Sequence, residues 1–245
     1  MVLVVAAGLW MVGCGQSSTE TGATTSAPQT QTFSPSPGNE GGQVSGEGAT
    51  VNLVDAGFAR TDEGGTPMVS YGVVLENTST SDDALDVDVS LNFLDDSGTI
   101  VQSEGDTIHV IPAGDTYYLS GGSFPAKGDK TTKLEVQVAV GESAAASYVL
   151  PEISDLRMTE SDWGEFYVRG VVTNPYSEAI PDNAAGVHVV CFDASGRVVG
   201  GGYTFIENGL QPGAKAAFDA SLFYGLKKLD VKSVKATMGN GALLQ

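Results

Sequence analysis

Val187-His188-Val189-Val190-Cys191-Phe192-Asp193-Ala194-Ser195-Gly196-Arg197-Val198-Val199 reads as an apolar strand, an Asp, a Ser-Gly turn and a second apolar strand. The same succession occurs earlier as Leu91-Asn92-Phe93-Leu94-Asp95-Asp96-Ser97-Gly98-Thr99-Ile100-Val101, with Gly98 and Gly196 98 positions apart. A duplication should hold one offset along its whole length. Gly72 and Gly170 again differ by 98, Asn77 and Asn174 by 97, Gly114 and Gly213 by 99, Val136 and Val234 by 98. One β module is therefore written twice.

The clearest alternation is Leu85, Val87, Val89, Leu91 and Phe93 against Asp86, Asp88, Ser90 and Asn92. A period of two places the apolar set on one sheet face and the polar set on the other, which excludes a helix. Six strands are expected in each copy, separated by Gly, Pro and Asp turns, so the fold class is all-β with two antiparallel β-sandwich domains. Repeat 1 is placed at 51–143 and repeat 2 at 151–240, with a short Ala- and Ser-rich connector from Glu142 to Val149. Cys191 shares parity with Val187 and Val189 and is read as a small buried hydrophobe.

The 245 residues carry 12 Lys and Arg against 30 Asp and Glu, a net charge of −18. Such an excess repels phosphate backbones and argues against nucleic acid as a partner. The imbalance is concentrated in the first copy: 16 acids against 4 bases from Asn52 to Glu142, and 10 against 8 from Ile153 to Asn240. The 32 glycines point to many turns. The two cysteines, one near the N-terminus and one in a strand, are no disulfide framework.

Val2 to Val12 is an apolar run too short to span a bilayer, which needs about 20 residues, and it fits the core of a signal peptide at 1–13. The following Met11-Val12-Gly13-Cys14 resembles the lipobox of bacterial lipoproteins. The resemblance implies lipidation of Cys14, cleavage before it, and attachment to the extracytoplasmic face of the cell membrane. No Lys or Arg precedes Cys14; the expected positive start is attributed to sequence upstream of Met1. Residues 15–50 are rich in Gly, Ser, Thr, Gln and Pro, and read as a flexible linker with an r.m.s. reach of about 35 Å.

Gly170-Val171-Val172-Thr173-Asn174, then Phe192-Asp193, Ser195-Gly196 and Pro212-Gly213, with their counterparts in the first copy, resemble the FxLYD family, Ig-like domains of bacterial extracytoplasmic lipoproteins. Val189 stands for the motif Phe and Cys191 for its Leu. The resemblance implies two tandem Ig-like domains and no active site, because its motif residues are core and turn positions.

Chemistry is sparse. Neither His109 nor His188 has a second His or Cys at ligand spacing, so no metal or cofactor site is expected. No Gly-x-Ser-x-Gly elbow and no Gly-rich phosphate loop is present. Asp82, Asp83, Asp86 and Asp88 form the one cluster with oxygen ligands suited to calcium, weighed against ordinary solvated carboxylates. Trp163 with Tyr167, and Tyr117 with Tyr118, are read either as contact aromatics or as covers for the sandwich ends. The expected function is non-enzymatic: a membrane-anchored protein acting in binding, adhesion or spacing toward an unidentified envelope or extracellular partner. The alternative is a calcium-dependent module using the acidic first copy.

Overall fold

Side chains that alternate between apolar and polar, many of them β-branched, suit a half-buried pleated strand and little else. The computed structural model describes residues 44–45, 48–61, 68–124, 130–160, 166–182, 186–222, 226 and 231–239, and its named elements are all strands. Cys14, the expected signal peptide, most of the expected linker and Trp163 lie outside the described residues. The first half contains β1 (Val44–Ser45), β2 (Thr50–Thr61), β3 (Met68–Asn77), β4 (Asp82–Leu94), β5 (Ile100–Ile111), β6 (Thr116–Ser123) and β7 (Lys133–Ala145). The second contains β8 (Glu152–Glu160), β9 (Phe166–Thr173), β10 (Gly186–Phe192), β11 (Val198–Phe205), β12 (Lys215–Leu222) and β13 (Ser233–Met238). β7 thus runs four residues into the expected connector, Glu142 to Ala145.

The strands pair antiparallel in three sheets, ordered β1-β2-β3-β6, β5-β4-β7 and β13-β10-β11-β12-β9-β8. Advancing each label of the first half by six turns β2-β3-β6 into β8-β9-β12 and β5-β4-β7 into β11-β10-β13. One join differs. In the second half Gly202 pairs with Leu222 and Tyr203 with Ser221, linking β11 to β12, and β13 lies close to β8, so the sheet nearly closes into a barrel. Among the described residues β5 and β6 share no such ladder.

Each half buries its own apolar face. Val73, Leu75, Val89, Leu91 and Phe93 belong to the first cluster, and Val168, Val187, Val189, Cys191 and Met238 to the second. Phe93 meets Phe58 edge-on at 6.4 Å and Tyr71 at 5.9 Å, aromatic geometries that add to the burial itself. Cys191 is fully buried, and that burial pushes its thiol up to about 12. In a Cys14→Ser chain no thiol should titrate with a disulfide reagent at pH 8 until denaturant is added. Reaction in the native protein at the rate of a free thiol would contradict the buried placement.

The repeated residues perform matching work. Asp95 Oδ1 accepts bonds from the Ser97 amide, the Ser97 hydroxyl and the Thr99 amide; Asp193 Oδ1 accepts the same three from Ser195 and Arg197. Gly98 and Gly196 close the two turns at φ 79° and 80°, where a side chain would be strained. These bonds hold both carboxyls below the usual Asp range, led by the Ser hydroxyl in each case, with Asp193 at about 2. Asn77 donates to the Asp82 and Ile111 carbonyls and accepts from the Ser79 amide. Asn174 donates to the Glu178 and Leu210 carbonyls and accepts from Tyr176. Both asparagines are fully buried.

One position in β4 departs from simple alternation. Asp86 adopts φ 46°, a left-handed conformation that Asp tolerates better than most residues. The twist it introduces leaves Leu85 only partly buried and brings Ala84 into the core instead. Gly141 lies opposite, where an added Cβ would stand 2.8 Å from the Asp86 carbonyl. The expected inward face of β4 therefore holds from Val87 to Phe93 and breaks at Leu85.

Candidate functional site

On β3 the odd residues Val69, Tyr71, Val73 and Leu75 enter the first core, so Ser70, Gly72 and Val74 occupy the other face. On β10, Val187, Val189 and Cys191 enter the second core, leaving His188, Val190 and Phe192 outward. All these strands belong to one unit, Thr32–Gln245, and the two outward faces pack on each other. Val74, Val190 and Val198 form a third buried cluster, with Tyr118 and Phe192 against it. The Tyr118 and Phe192 rings meet perpendicular at 6.3 Å.

Facing sheets usually stand about 10 Å apart because side chains fill the gap. Here small residues bring backbone to backbone. A Cβ on Gly57 would lie 2.0 Å from the Val198 carbonyl oxygen, and one on Gly72 2.7 Å from that of Gly200. The polar groups caught in between are satisfied across the junction. Ser70 Oγ donates to the Gly201 carbonyl and accepts from its amide. Ser120 Oγ donates to the Gly202 carbonyl and accepts from the Val189 amide. Asp55 accepts from Val198 N, and Thr237 Oγ1 from Tyr118 N. Such bonds specify one relative placement of the halves, since buried polar groups left unpaired are costly.

At one end of this junction lies a cleft of about 370 Å³ lined by Tyr71, Asp106, Ser120, Gly121, Gly122, Gly186, His188, Tyr203 and Phe205. It opens where β5 and β6 part, and β10 and β11 supply the facing wall. Gly121 has to be small: its Cβ would stand 2.3 Å from the Tyr71 hydroxyl. Burial raises the Tyr71 phenol well above its ordinary value, with Asp106 and Glu104 adding to the effect. Ser120 is no activated nucleophile, because its hydroxyl is engaged with two backbone groups.

His188 Nδ1 lies 2.9 Å from the Ser120 carbonyl oxygen, with Tyr117 of β6 and Tyr203 of β11 about its ring at 6.3 and 6.2 Å. Burial lowers its pKa below the ordinary 6.5, against the opposing influence of the Ser120 bond and the Asp106 charge on β5. The imidazole is thus neutral in the folded protein near pH 7. Its contribution to stability is complete above the unfolded value of 6.5 and is lost as pH falls through the lowered folded value. Melting temperature between pH 7.5 and 5 is expected to fall more steeply in the natural chain than in His188→Gln. Parallel slopes would show that the imidazole is not held neutral.

The four aspartates considered for calcium are committed separately. Asp83 is fully buried and accepts from the amides of Ala113, Ser147 and Tyr148. Asp82 accepts from the hydroxyls of Ser79 and Ser81. Asp86 and Asp88 share the outer face of β4, but Asp86 lies 3.5 Å from His109 Nδ1 and Asp88 accepts from Thr107 Oγ1. Among the described residues no three His, Cys, Asp or Glu side chains gather to hold a metal ion. Tyr117 is buried and Tyr118 serves the junction, so neither is a free contact aromatic. No protein-family model matches the chain, and no curated protein shows significant similarity to it.

Sequence reasoning missed the cleft because its walls come from both halves. A signal was present in Gly200-Gly201-Gly202 within a strand and in Gly121-Gly122 within another. Glycine inside a strand often marks a bulge, a tight bend or the close approach of another backbone.

Proposed function

We propose that the chain is a non-enzymatic, lipid-anchored protein of the extracytoplasmic membrane face, carrying two tandem Ig-like β-sandwich domains of FxLYD type at 51–143 and 151–240. The observation that carries the anchoring is Met11-Val12-Gly13-Cys14, placed between an apolar run and a Gly/Ser/Thr/Pro-rich segment. The matching strand orders of the two halves support the tandem reading, as do the turn and asparagine hydrogen bonds found twice. Several acyl chains, at about 0.8 kcal/mol per buried methylene, would hold such a protein firmly to a bilayer.

On this reading the folded part serves as one recognition head presented by a tether, because hydrogen bonds across the junction tie the halves together. Its partner is an envelope or extracellular component, and the net charge of −18 disfavours nucleic acid. Metabolic labelling with a fatty acid in a bacterial host should mark the natural chain and leave Cys14→Ala unmarked. Absence of label from both would overturn the anchoring.

A further inference from the structure

We infer that the cleft at the junction binds an organic cation, an ammonium or guanidinium group seated between Asp106 and the rings of Tyr203 and Phe205. The volume of about 370 Å³ leaves room for such a group. Tyr203 and Phe205 are 39% and 46% exposed, high values for large aromatic rings, and stand perpendicular with centroids 5.6 Å apart. Ring faces attract cations through their negative quadrupole, and more strongly where water is displaced.

The charge at this cleft is negative and uncompensated. Asp106 lines it, and Glu104 stands two residues before it on the same strand, bonded to the neutral groups of Ser123 and Gln102. Among the described residues no Lys or Arg lines the cleft or pairs with either carboxylate. The one basic side chain on the wall, His188, is neutral near pH 7 and adds no opposing charge. An anionic ligand would meet Asp106 with nothing to balance it. The excess of acids over bases in the first half also makes that half attractive to cations in general. The site rests on the folded body alone and stands whether or not Cys14 carries lipid.

Calorimetric titration of the full chain at constant ionic strength tests this with four probes: choline, its neutral isostere 3,3-dimethylbutan-1-ol, and capped Gly-Lys-Gly and Gly-Glu-Gly peptides. Saturable binding of choline, the lysine peptide or both is expected, with none of the isostere or the glutamate peptide. Binding of choline points to a free small cation as the source; binding of the lysine peptide alone points to a side chain on a protein partner. Asp106→Asn and Tyr203→Ala should each weaken binding at least tenfold, with Phe205→Ala as the aromatic variant if Tyr203→Ala lowers the melting temperature. Failure of both cations to saturate, equal binding of the isostere, or indifference to the variants would overturn the assignment.

Discussion

Asn77→Leu is expected to cost about 3 kcal/mol or more, and Asn174→Leu a similar amount in the other half. Each amide nitrogen donates to two backbone carbonyls, and each amide oxygen accepts a backbone N–H two residues on. Leucine has the same branched arrangement of four side-chain heavy atoms, so no cavity is left. What it cannot do is serve those three groups, and a buried polar group left unpaired costs about 1–3 kcal/mol. The Ile111 and Leu210 carbonyls are in fully buried bonds and have the least chance of finding water. Chemical denaturation of the two variants measures the effect, and a loss below about 1 kcal/mol at either position would show that the asparagine is not the tie described. Similar losses at both would also show that residues 97 apart do one job.

Gly57→Val is expected to open the junction while leaving two folded halves. Its Cβ would sit 2.0 Å from the Val198 carbonyl oxygen, a backbone atom that can move only if β11 moves with it. Separation would also break the bond from Val198 N to Asp55. Overpacking of this kind costs about 1–3 kcal/mol or more. Each half retains its own buried cluster, so calorimetry should resolve two transitions in the variant and a single one in the natural chain. The control is Gly105→Val on exposed β5, where an added Cβ meets only the Val89 carbonyl, at 3.9 Å. A single unshifted transition in Gly57→Val would mean that the halves are not held by this approach.

Much of the architecture was legible beforehand because local patterning and tertiary burial agree. Val187, Val189 and Cys191 alternate in the sequence and point into one core, and Asp193-Ala194-Ser195-Gly196 encodes its own turn through bonds spanning four residues. Leu85 was misplaced because a left-handed residue inside a strand resets the alternation after it, and Asp86 carries no mark that separates it from Asp88. The calcium reading arose from aspartates adjacent in sequence. Asp83 instead reaches backbone amides 30 and 64 positions away, a use that spacing cannot reveal.

Period-two patterning, turn chemistry and an offset near 98 were enough to place the strands, their hairpins and most of the inner face of each sheet, because those depend on neighbours in sequence. The pairing of the two outer faces was decided only in three dimensions. Ser70 and Gly201 are 131 residues apart, and nothing in either segment alone states that its small residues make room for the other. The cleft follows from that pairing: β3, β5 and β6 form one side, β10 and β11 the other, and its acid and aromatic groups converge only when the halves meet.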